Sequence, residues 1–297
     1  MSLVSVVIPA YNEQEAIGPQ IERIRKVMQT GGYEFEIIVV DDGSSDATAE
    51  IASSQGARVI RHRRRHGSGA ARRTGIIEAR GDLVVMLDGD GSYAAEDIPH
   101  LLALFPDADQ VVGARRQETG SLPWLRLPTK WFIRQLASLL TGTRIPDLNS
   151  GLRAFKRDLM LKFLYLIPDG FSCVTTMTLT FLTNGYIVEY VPVDYLKRIG
   201  KSKFHPIRDT YNYLLTVIRI VLFFNPLKFF LPTALGLLAL GLGRFLYHAL
   251  IVHRVRESDI MLILTAMIIG AVGLLADLLV TERKRALMDV QPRERSK

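Results

Sequence analysis

Cysteine is nearly absent from this chain of 297 residues, and the one present is Cys173. A single cysteine excludes an internal disulfide framework and any zinc site that needs several thiolates, so we interpret Cys173 as a small core residue. The N-terminus lacks the basic segment and the cleavage pattern of a secretory signal peptide. We therefore predict no signal peptide.

Acidic residues are absent from residues 51–77, where seven arginines occur. They are Arg58, Arg61, Arg63, Arg64, Arg65, Arg72 and Arg73. Such a run indicates either a solvated face or a basic wall beside a phosphate-rich ligand or an anionic bilayer. It contains no interleaved aromatic residues and belongs to no recognisable nucleic-acid module, so we predict no nucleic-acid partner. The net charge of +7 favours anionic partners.

Long apolar runs are confined to the C-terminal part of the chain. Residues 223–243 and residues 260–280 each contain a single charged side chain. Both runs are long enough to span a bilayer, which takes about 20 apolar residues. The tail, residues 282–297, is mainly basic, so the positive-inside rule predicts a cytoplasmic tail and a cytoplasmic N-terminal part. Arg244 and His248 follow the first run, where an arginine can extend to the membrane interface.

The N-terminal part alternates strand-like and helix-like patterns. Short β-branched runs predict four strands, at residues 3–8, 36–40, 57–60 and 83–87. The segments between them predict three helices, at residues 17–28, from an N-cap at Ser44 or Ser45 to Gln55, and at residues 69–79. This alternation predicts an α/β domain with a mostly parallel sheet.

Polar clusters follow three of these strands, at residues 9–13, 41–44 and 88–90. In a parallel sheet the three clusters meet at one edge, where ligands bind. Asp88 and Asp90, separated by Gly89, suit a hard divalent cation such as Mg²⁺ or Mn²⁺ that is shared with a diphosphate. Asp41 and Asp42 either cap the next helix or accept hydrogen bonds from a ribose or a nucleobase.

Two other ligand motifs fail on their spacing. In the segment 67–72, Arg72 stands where a dinucleotide-binding motif requires its third glycine. A calcium loop that starts at Asp88 would require glycine at position 93, which is Tyr93. The sequence therefore favours a nucleotide diphosphate held with a divalent cation.

Eight short motifs occur in an order that resembles the inverting family 2 glycosyltransferases with a GT-A fold. They are VVIPAYNE (Val6 to Glu13), VVDDGS (Val39 to Ser44), GSGAARRTGI (Gly67 to Ile76), ARGD (Ala79 to Asp82), LDGDGS (Leu87 to Ser92), GAR (Gly113 to Arg115), DLNSGLRAF (Asp147 to Phe155) and RIGKSKF (Arg198 to Phe204). Together they are similar to the polyprenyl-phosphate branch, which includes the dolichyl-phosphate mannose synthases and their bacterial undecaprenyl-phosphate relatives. The resemblance implies transfer of a sugar from a GDP- or UDP-linked donor to a polyprenyl phosphate, with Mg²⁺ or Mn²⁺ as cofactor.

The resemblance also implies a role for each matching residue. The nucleotide-sugar site would comprise Pro9, Tyr11, Glu13, Val40, Asp42, Asp88, Gly89, Asp90, Arg198 and Lys203. Within it, Asp88 and Asp90 would hold the metal, and Asp90, Arg115 and Arg198 would act in catalysis. The acceptor phosphate would lie near Arg115. Some relatives have a glutamine where this chain has Ser92, so Ser92 is left out of the metal set.

Arg153 is a further candidate ligand of the acceptor phosphate, because a planar guanidinium suits phosphate oxygens. An ion pair between Arg153 and Asp158 is the competing interpretation. A lipid phosphate is already anionic at neutral pH, since its second pKa is about 6, so the transfer needs no general base. Asp147 would be the candidate base if the acceptor were a hydroxyl.

Two alternatives stay open at this stage. The first is a family 2 enzyme that acts on a glycan or lipid hydroxyl, although the chain lacks the Q-x-x-R-W motif of processive synthases. The second is a non-catalytic membrane scaffold that retains the fold. The presence of Asp88, Asp90, Arg198 and Lys203 argues against the second, because a scaffold has no need of them.

The remaining expectations concern the membrane. Residues 122–141 and 205–224 mix aromatic and basic side chains, which is typical of helices that lie in the bilayer interface. We predict a catalytic domain over residues 1–205, a juxtamembrane helix over 206–226, two spans over 227–281 and a basic tail over 282–297. Membrane lipids are the expected surroundings, and family likeness suggests a homo-oligomer.

Overall fold

The computed structural model describes residues 3–116, 134–135, 137–138, 141–170, 172–196, 211, 215, 218–219 and 222–289. The chain divides into two compact units, Met1–Val217 and Ile218–Lys297. The first unit is an α/β sheet domain, and the second is a helical hairpin.

Four parallel strands form the first half of the sheet. They are β1 (Val4–Ala10), β2 (Phe35–Asp41), β3 (Arg58–Arg61) and β4 (Leu83–Met86), connected by the helices α1 (Ile17–Thr30), α2 (Thr48–Ser54) and α3 (Ser68–Glu78). Strand β1 pairs with β2 and β4, and β2 pairs with β3, in parallel each time. The α/β alternation predicted from the sequence is confirmed here.

The second half of the sheet mixes strand directions. It contains α4 (Ile98–Leu102), β5 (Gln110–Arg115), β6 (Arg153–Lys156), α5 (Arg157–Leu161), α6 (Cys173–Thr183) and β7 (Val188–Val193), with single 3₁₀ turns at Ala95–Asp97 and Leu164–Leu166. Strand β6 runs antiparallel to its neighbours β4 and β5, whereas β5 and β7 are parallel. The strand order is β3-β2-β1-β4-β6-β5-β7. The sequence did not predict β5, β6 or β7, and β6 makes the sheet mixed.

Apolar side chains cover both faces of the sheet. On one face, Ile21 and Ile24 of α1 are fully buried with Val6 of β1, as the helical spacing of the isoleucines predicts. Each such isoleucine contributes roughly 2 kcal/mol by leaving water. On the other face, Val7 packs in a cluster that includes Cys173, which confirms the prediction of a core cysteine.

The start of α2 differs from the prediction. The helix begins at Thr48, and neither Ser44 nor Ser45 caps it. Instead, Asn12 N donates to Ser44 Oγ over 2.9 Å, and Ser45 N donates to Asn12 Oδ1 over 2.9 Å. Asp46 accepts a hydrogen bond from Thr48 N in the first turn. The two serines therefore tie the loop after β2 to the loop after β1.

The C-terminal unit contains two helices, α7 (Leu227–Leu250) and α8 (Glu257–Asp289). Both are long and apolar enough to cross a membrane. They approach closely at small residues: a Cβ at Gly241 would lie 2.9 Å from Ile263 Cγ1, and one at Gly273 would lie 2.5 Å from Phe230 Cβ. Glycines at these positions let the two backbones pack together, which is how helices associate in lipid.

A cluster of charged side chains lies near the turn between the two helices. Asp259 has a fully buried side chain, and its Oδ1 accepts a hydrogen bond from Arg244 Nε over 3.1 Å. Its Oδ2 lies 2.6 Å from His248 Nδ1. We call Arg244, His248 and Asp259 the hairpin cluster. Arg244 pairs with Asp259 while its side chain stays 47% exposed; its expected extension to the membrane interface stays a prediction.

Candidate active site

The polar clusters after β1, β2 and β4 lie together at one edge of the sheet. Pro9 and Val40 are direct partners in the register of β1 and β2, and Asp42 N donates to Ala10 O over 2.9 Å. A Cβ at Gly89 would lie 3.4 Å from Pro9 O, so the Asp88–Asp90 segment packs on the end of β1. The edge predicted from the sequence is therefore formed by adjacent strands.

The two aspartates of the D-x-D segment have different surroundings. The side chain of Asp88 is 33% exposed, whereas Asp90 is 4% exposed as a residue. Asp90 Oδ1 accepts hydrogen bonds from Ser92 N over 3.0 Å and from Ser92 Oγ over 2.5 Å. Ser92 therefore fixes the orientation of the Asp90 carboxylate, a role that the sequence did not predict.

The segment 147–151 closes the cleft from the second half of the sheet. A Cβ at Gly151 would lie 2.3 Å from Asp88 Oδ2, so only glycine fits beside the carboxylate in this conformation. Tyr93 Oη accepts a hydrogen bond from Gly151 N over 2.8 Å, and burial raises the pKa of Tyr93. The neutral phenol holds the turn against Asp88.

Arg72 is a member of the site that sequence reasoning missed. Its guanidinium contacts Asp88 Oδ1, and its side chain is only 5% exposed. The same group lies 3.7 Å from Cys173 Sγ and donates to Ser68 O over 3.3 Å. One feature of the sequence singled out this residue: Arg72 stands where a dinucleotide-binding motif would have its third glycine.

Asp42 anchors a neighbouring loop at this edge of the sheet. Its Oδ1 accepts a hydrogen bond from His66 N and lies 2.8 Å from His62 Nδ1, and its Oδ2 accepts from Gly67 N. The loop carries Arg65, whose guanidinium carbon lies 4.4 Å from the centre of the Tyr11 ring. The contact of Asp42 with a nucleobase stays a prediction, since these hydrogen bonds hold the carboxylate within the protein.

The seven arginines of residues 51–77 separate into two groups. Four of them contact carboxylates on other elements: Arg58 with Glu36 and Glu78, Arg61 with Asp41 and Glu50, Arg72 with Asp88, and Arg73 with Asp169. The remaining three, Arg63, Arg64 and Arg65, are consecutive and exposed. The basic run is therefore partly internal and partly the solvated surface of the loop anchored by Asp42.

Arg115, at the end of β5, forms a two-pronged ion pair with Asp147. Nε donates to Oδ2 over 2.7 Å, and the second prong donates to Oδ1 over 2.9 Å. Burial alone would raise the pKa of the Asp147 carboxyl, but the hydrogen bonds and charge of Arg115, with the amide of Asn149, hold that pKa below its usual value. Arg115 also lies over the ring of Tyr195, at 5.4 Å.

Arg153 does not lie where the sequence analysis expected. It is fully buried in β6, and its guanidinium donates to Val174 O over 2.7 Å, to Thr178 Oγ1 over 3.2 Å and to Ser150 O. Burial, together with the positive charge of Arg72, lowers the pKa of Arg153 to about 10. This position contradicts contact with an acceptor phosphate, and among the described residues Arg153 forms no ion pair with Asp158 either.

Several predicted residues lie outside the described part of the chain. They include Arg198 and Lys203 and most of the two predicted interfacial helices, 122–141 and 205–224. Their roles stay predictions. Pro9, Val40, Asp42, Asp88, Gly89 and Asp90 occur at one sheet edge, where Tyr11 and Glu13 follow β1 and Arg115 ends β5.

Two family models match the chain. Residues 5–164, more than half of the 297, match the glycosyl transferase family 2 model. Residues 225–281 match the model of the GtrB C-terminal hairpin. The second match coincides with α7 and the apolar part of α8, and it indicates that these helices anchor the chain in a membrane.

Two curated relatives are named for polyprenyl phosphates. A dodecaprenyl-phosphate galacturonate synthase from Rhizobium johnstonii is 28% identical, over 82% of this chain and 75% of its own length. An undecaprenyl-phosphate 4-deoxy-4-formamido-L-arabinose transferase from Pseudomonas savastanoi is 32% identical, over 70% of this chain and 62% of its own length. The two matches span 256 and 224 residues, so each extends beyond the first half of the sheet domain.

A solved structure supports the fold alone. Glucosyl-3-phosphoglycerate synthase from Mycobacterium tuberculosis, crystallised with Mn²⁺, uridine diphosphate and glucosyl-3-phosphoglycerate, superposes with a TM-score of 0.57. It is 22% identical, and the match covers 74% of this chain and 79% of that chain. The sheet domain therefore has the GT-A type of architecture.

Proposed function

The chain belongs to glycosyl transferase family 2, and from this premise we propose that it transfers a sugar from a nucleotide-diphosphate donor to a polyprenyl phosphate at a membrane. The observation that carries the proposal is the sheet edge at which Asp88 and Asp90 meet the ends of β1 and β2. Family membership makes the chain a glycosyltransferase. The donor, the metal and the stereochemistry are the proposed part.

The donor side is supported by the residues beside the D-x-D segment. Pro9 and Val40 flank the edge, and Tyr11 presents an aromatic ring in the loop that follows β1. Exposed arginines on the neighbouring loop, residues 63–65, add positive charge for a phosphorylated ligand. A GDP- or UDP-linked sugar fits this combination of ring, carboxylates and cations.

The residues present fit Mg²⁺ or Mn²⁺. Mg²⁺ usually takes one or two carboxylates from the protein and completes its shell with water and substrate phosphates. Asp88 and Asp90 supply two such carboxylates, and no group of three or more metal-binding side chains occurs among the described residues. The Mn²⁺ and uridine diphosphate in the mycobacterial synthase are consistent with a shared site of this kind. When bound, the cation would neutralise charge on the leaving diphosphate.

The acceptor side favours a phosphate over a hydroxyl. Activation of a hydroxyl needs a proton acceptor, and Asp147 was the candidate. Arg115 donates hydrogen bonds to both oxygens of Asp147, and the pKa of the Asp147 carboxyl lies below its usual value. This carboxylate is therefore a poor base. A phosphate monoester needs no such base near neutral pH. The names of the two relatives point to the same acceptor class.

The reaction is then a single displacement. An anionic oxygen of the polyprenyl phosphate attacks the anomeric carbon, the bond from that carbon to the donor's diphosphate breaks, and the nucleoside diphosphate leaves. An α-linked donor gives a β-linked product. The protein's contribution is to hold two anions in line, which positioning and positive charge accomplish. Arg115, Arg198 and Lys203 are the proposed cations; an exchange of Asp147 for the acceptor phosphate would free Arg115.

The membrane arrangement follows from the sequence. Arg283, Lys284 and Arg285 come directly after the second span, so the positive-inside rule favours a cytoplasmic tail. With two spans the catalytic unit lies on the same side. The product would form at the cytoplasmic face, where nucleotide sugars are made.

The test is direct transfer into lipid. Detergent-purified full-length protein is incubated with Mn²⁺ or Mg²⁺, undecaprenyl phosphate and a panel of radiolabelled GDP- and UDP-sugars, and label is counted in the organic phase. We expect label from one donor and its loss, by about 1,000-fold, in Asp90→Ala, because an interaction with the leaving group is removed. Asp107→Ala, at an exposed aspartate of the same unit, serves as the matched control and should keep full activity.

Label that never enters the organic phase, although the protein binds nucleotide in a metal-dependent manner, would contradict the proposal. It would favour an acceptor with a hydroxyl group. Asp147→Asn would then be the next variant to assay.

A further inference from the structure

We propose that Arg72 is a built-in counter-ion of the cation site, one that makes binding of the divalent cation depend on the donor's diphosphate. The inference rests on the proposed function, because it takes Asp88 and Asp90 as the cation's ligands. Its observation is the buried contact between the Arg72 guanidinium and Asp88 Oδ1.

The contact occupies one oxygen of the carboxylate that faces the cleft. Arg72 lies beneath the edge with a side chain 5% exposed, whereas Asp88 is 33% exposed. The other oxygen, Oδ2, faces the backbone of Gly151. Asp88 is therefore held from both sides, and a cation meets a carboxylate that is already partly neutralised.

The charge around the site also weakens the binding of a cation when no donor is present. Two aspartates alone would carry a charge of about −2, and Arg72 reduces it to about −1. A second guanidinium, Arg153, is buried near Arg72 and hydrogen-bonds to uncharged oxygens, so it adds further positive potential. A guanidinium buried close to a divalent cation repels it strongly, because little water is present to screen the two positive charges.

The donor reverses this balance. A diphosphate brings negative charge and oxygen ligands together, so the cation binds with the donor and leaves with the nucleoside diphosphate. The cation site is weak when the cleft is empty and strong when the donor is bound. Arg72 acts through Asp88 and is a positioning residue in this account.

The test measures Mn²⁺ binding without turnover. Electron paramagnetic resonance quantifies free Mn²⁺ over detergent-purified full-length protein, with no nucleotide and with UDP or GDP. We expect wild-type protein to bind Mn²⁺ weakly in the absence of nucleotide. With UDP or GDP, whichever is the diphosphate of the active donor, it should bind Mn²⁺ at least tenfold more tightly. Arg72→Gln should bind Mn²⁺ alone about tenfold more tightly than wild type, because the opposing charge is gone.

Arg73→Gln is the matched control. Arg73 is the next residue of the same helix, and it pairs with exposed Asp169 and with Ile167 O instead of the cleft. Its Mn²⁺ affinity should equal that of wild type. Arg72→Lys retains a buried positive charge, so it should keep the weak binding of Mn²⁺ alone, and it provides the comparison should Arg72→Gln fail to fold.

The inference is overturned if folded Arg72→Gln binds Mn²⁺ alone no more tightly than wild type, or if Arg72→Lys gains affinity. It is also overturned if wild type binds Mn²⁺ equally well with and without nucleotide. Failure of the proposed function looks different: lipid transfer would be absent while the nucleotide still strengthens Mn²⁺ binding and Arg72→Gln still changes it.

Discussion

Two groups of polar side chains can be compared: the cleft floor of the sheet domain, made of Arg72, Asp88 and Arg153, and the hairpin cluster of Arg244, His248 and Asp259. In the hairpin cluster, both oxygens of Asp259 are bonded, one by Arg244 and one by His248. In the cleft floor, Arg72 shares a single oxygen of Asp88. Its neighbour Arg153 bonds only to uncharged groups, and its Nε has no partner among the described residues.

The difference separates two uses of buried charge. In the hairpin cluster both oxygens of the buried Asp259 carboxylate have partners, so the cluster joins the two helices and stabilises their packing. Charges left incompletely paired keep an attraction for a ligand, and the guanidinium groups of Arg72 and Arg153 in the cleft floor supply positive charge beside the proposed donor site. The account therefore expects substitutions in the cleft to affect chemistry and those in the hairpin cluster to affect stability.

After the loss expected for Asp90→Ala, the largest effect is expected from Gly151→Ala in the cleft. The added methyl would lie 2.3 Å from Asp88 Oδ2, so the carboxylate or the turn must move. We expect transfer to fall by about 100-fold, since an error of about 1 Å in a reacting site has that size. Initial rates of label transfer measure it, with circular dichroism as a check of folding.

Gly170→Ala is the control for that experiment. A Cβ at Gly170 meets nothing within 4 Å, so the same substitution should leave the transfer rate unchanged. Equal activity of both variants would mean that the 147–151 segment does not constrain Asp88.

The second effect concerns pH. If the acceptor is a phosphate and no base takes part, the rate follows the ionisation of that phosphate, with a pKa of about 6. We expect the rate at low acceptor concentration to rise about tenfold per pH unit below pH 6 and to stay level from pH 7 to pH 8. A further rise above pH 7 would reveal a titrating base and would contradict the claim that the transfer needs none.

The smallest effect on activity is expected from Asp259→Asn. The substitution weakens the bonds to Arg244 and His248. We expect the midpoint of thermal unfolding to fall by a few degrees, while transfer well below the midpoint changes less than about threefold. Asp277→Asn, in the same helix but outside the hairpin cluster, should leave the midpoint unchanged. A large loss of transfer in folded Asp259→Asn would contradict the claim that the hairpin cluster affects stability and not chemistry.

The sequence predicted the parts of the fold that have strong periodicity. Strands β1, β2 and β4 are rich in buried, β-branched apolar residues, and α1 repeats isoleucines at helical spacing, so local pattern and burial agree. Strand β6 has only four residues, with the sequence RAFK. Strand β7, with the sequence VEYVPV, contains a proline and has a single buried residue, so neither strand has such a pattern. Their pairing depends on contacts across the sheet that a local pattern does not contain.

The candidate site could be predicted only where its residues follow a recognisable strand. The D-x-D segment and the ends of β1 and β2 were identified because each follows a recognisable strand. The partners of the arginines were not, because Arg72 and Arg153 pair with groups from distant segments. Arg153 was expected at the acceptor, yet the helix Cys173–Thr183 covers it; its burial follows from tertiary packing and not from its motif.

The central claim is that the acceptor is the phosphate of a polyprenyl chain, and the linkage in the product tests it most directly. Phosphorus-31 NMR of the lipid product distinguishes a phosphate monoester from a phosphodiester. The account predicts that the monoester signal of undecaprenyl phosphate is replaced by a phosphodiester signal coupled to the anomeric proton of the sugar. A sugar-containing product whose phosphate remains a monoester, with the sugar on a hydroxyl, would contradict it.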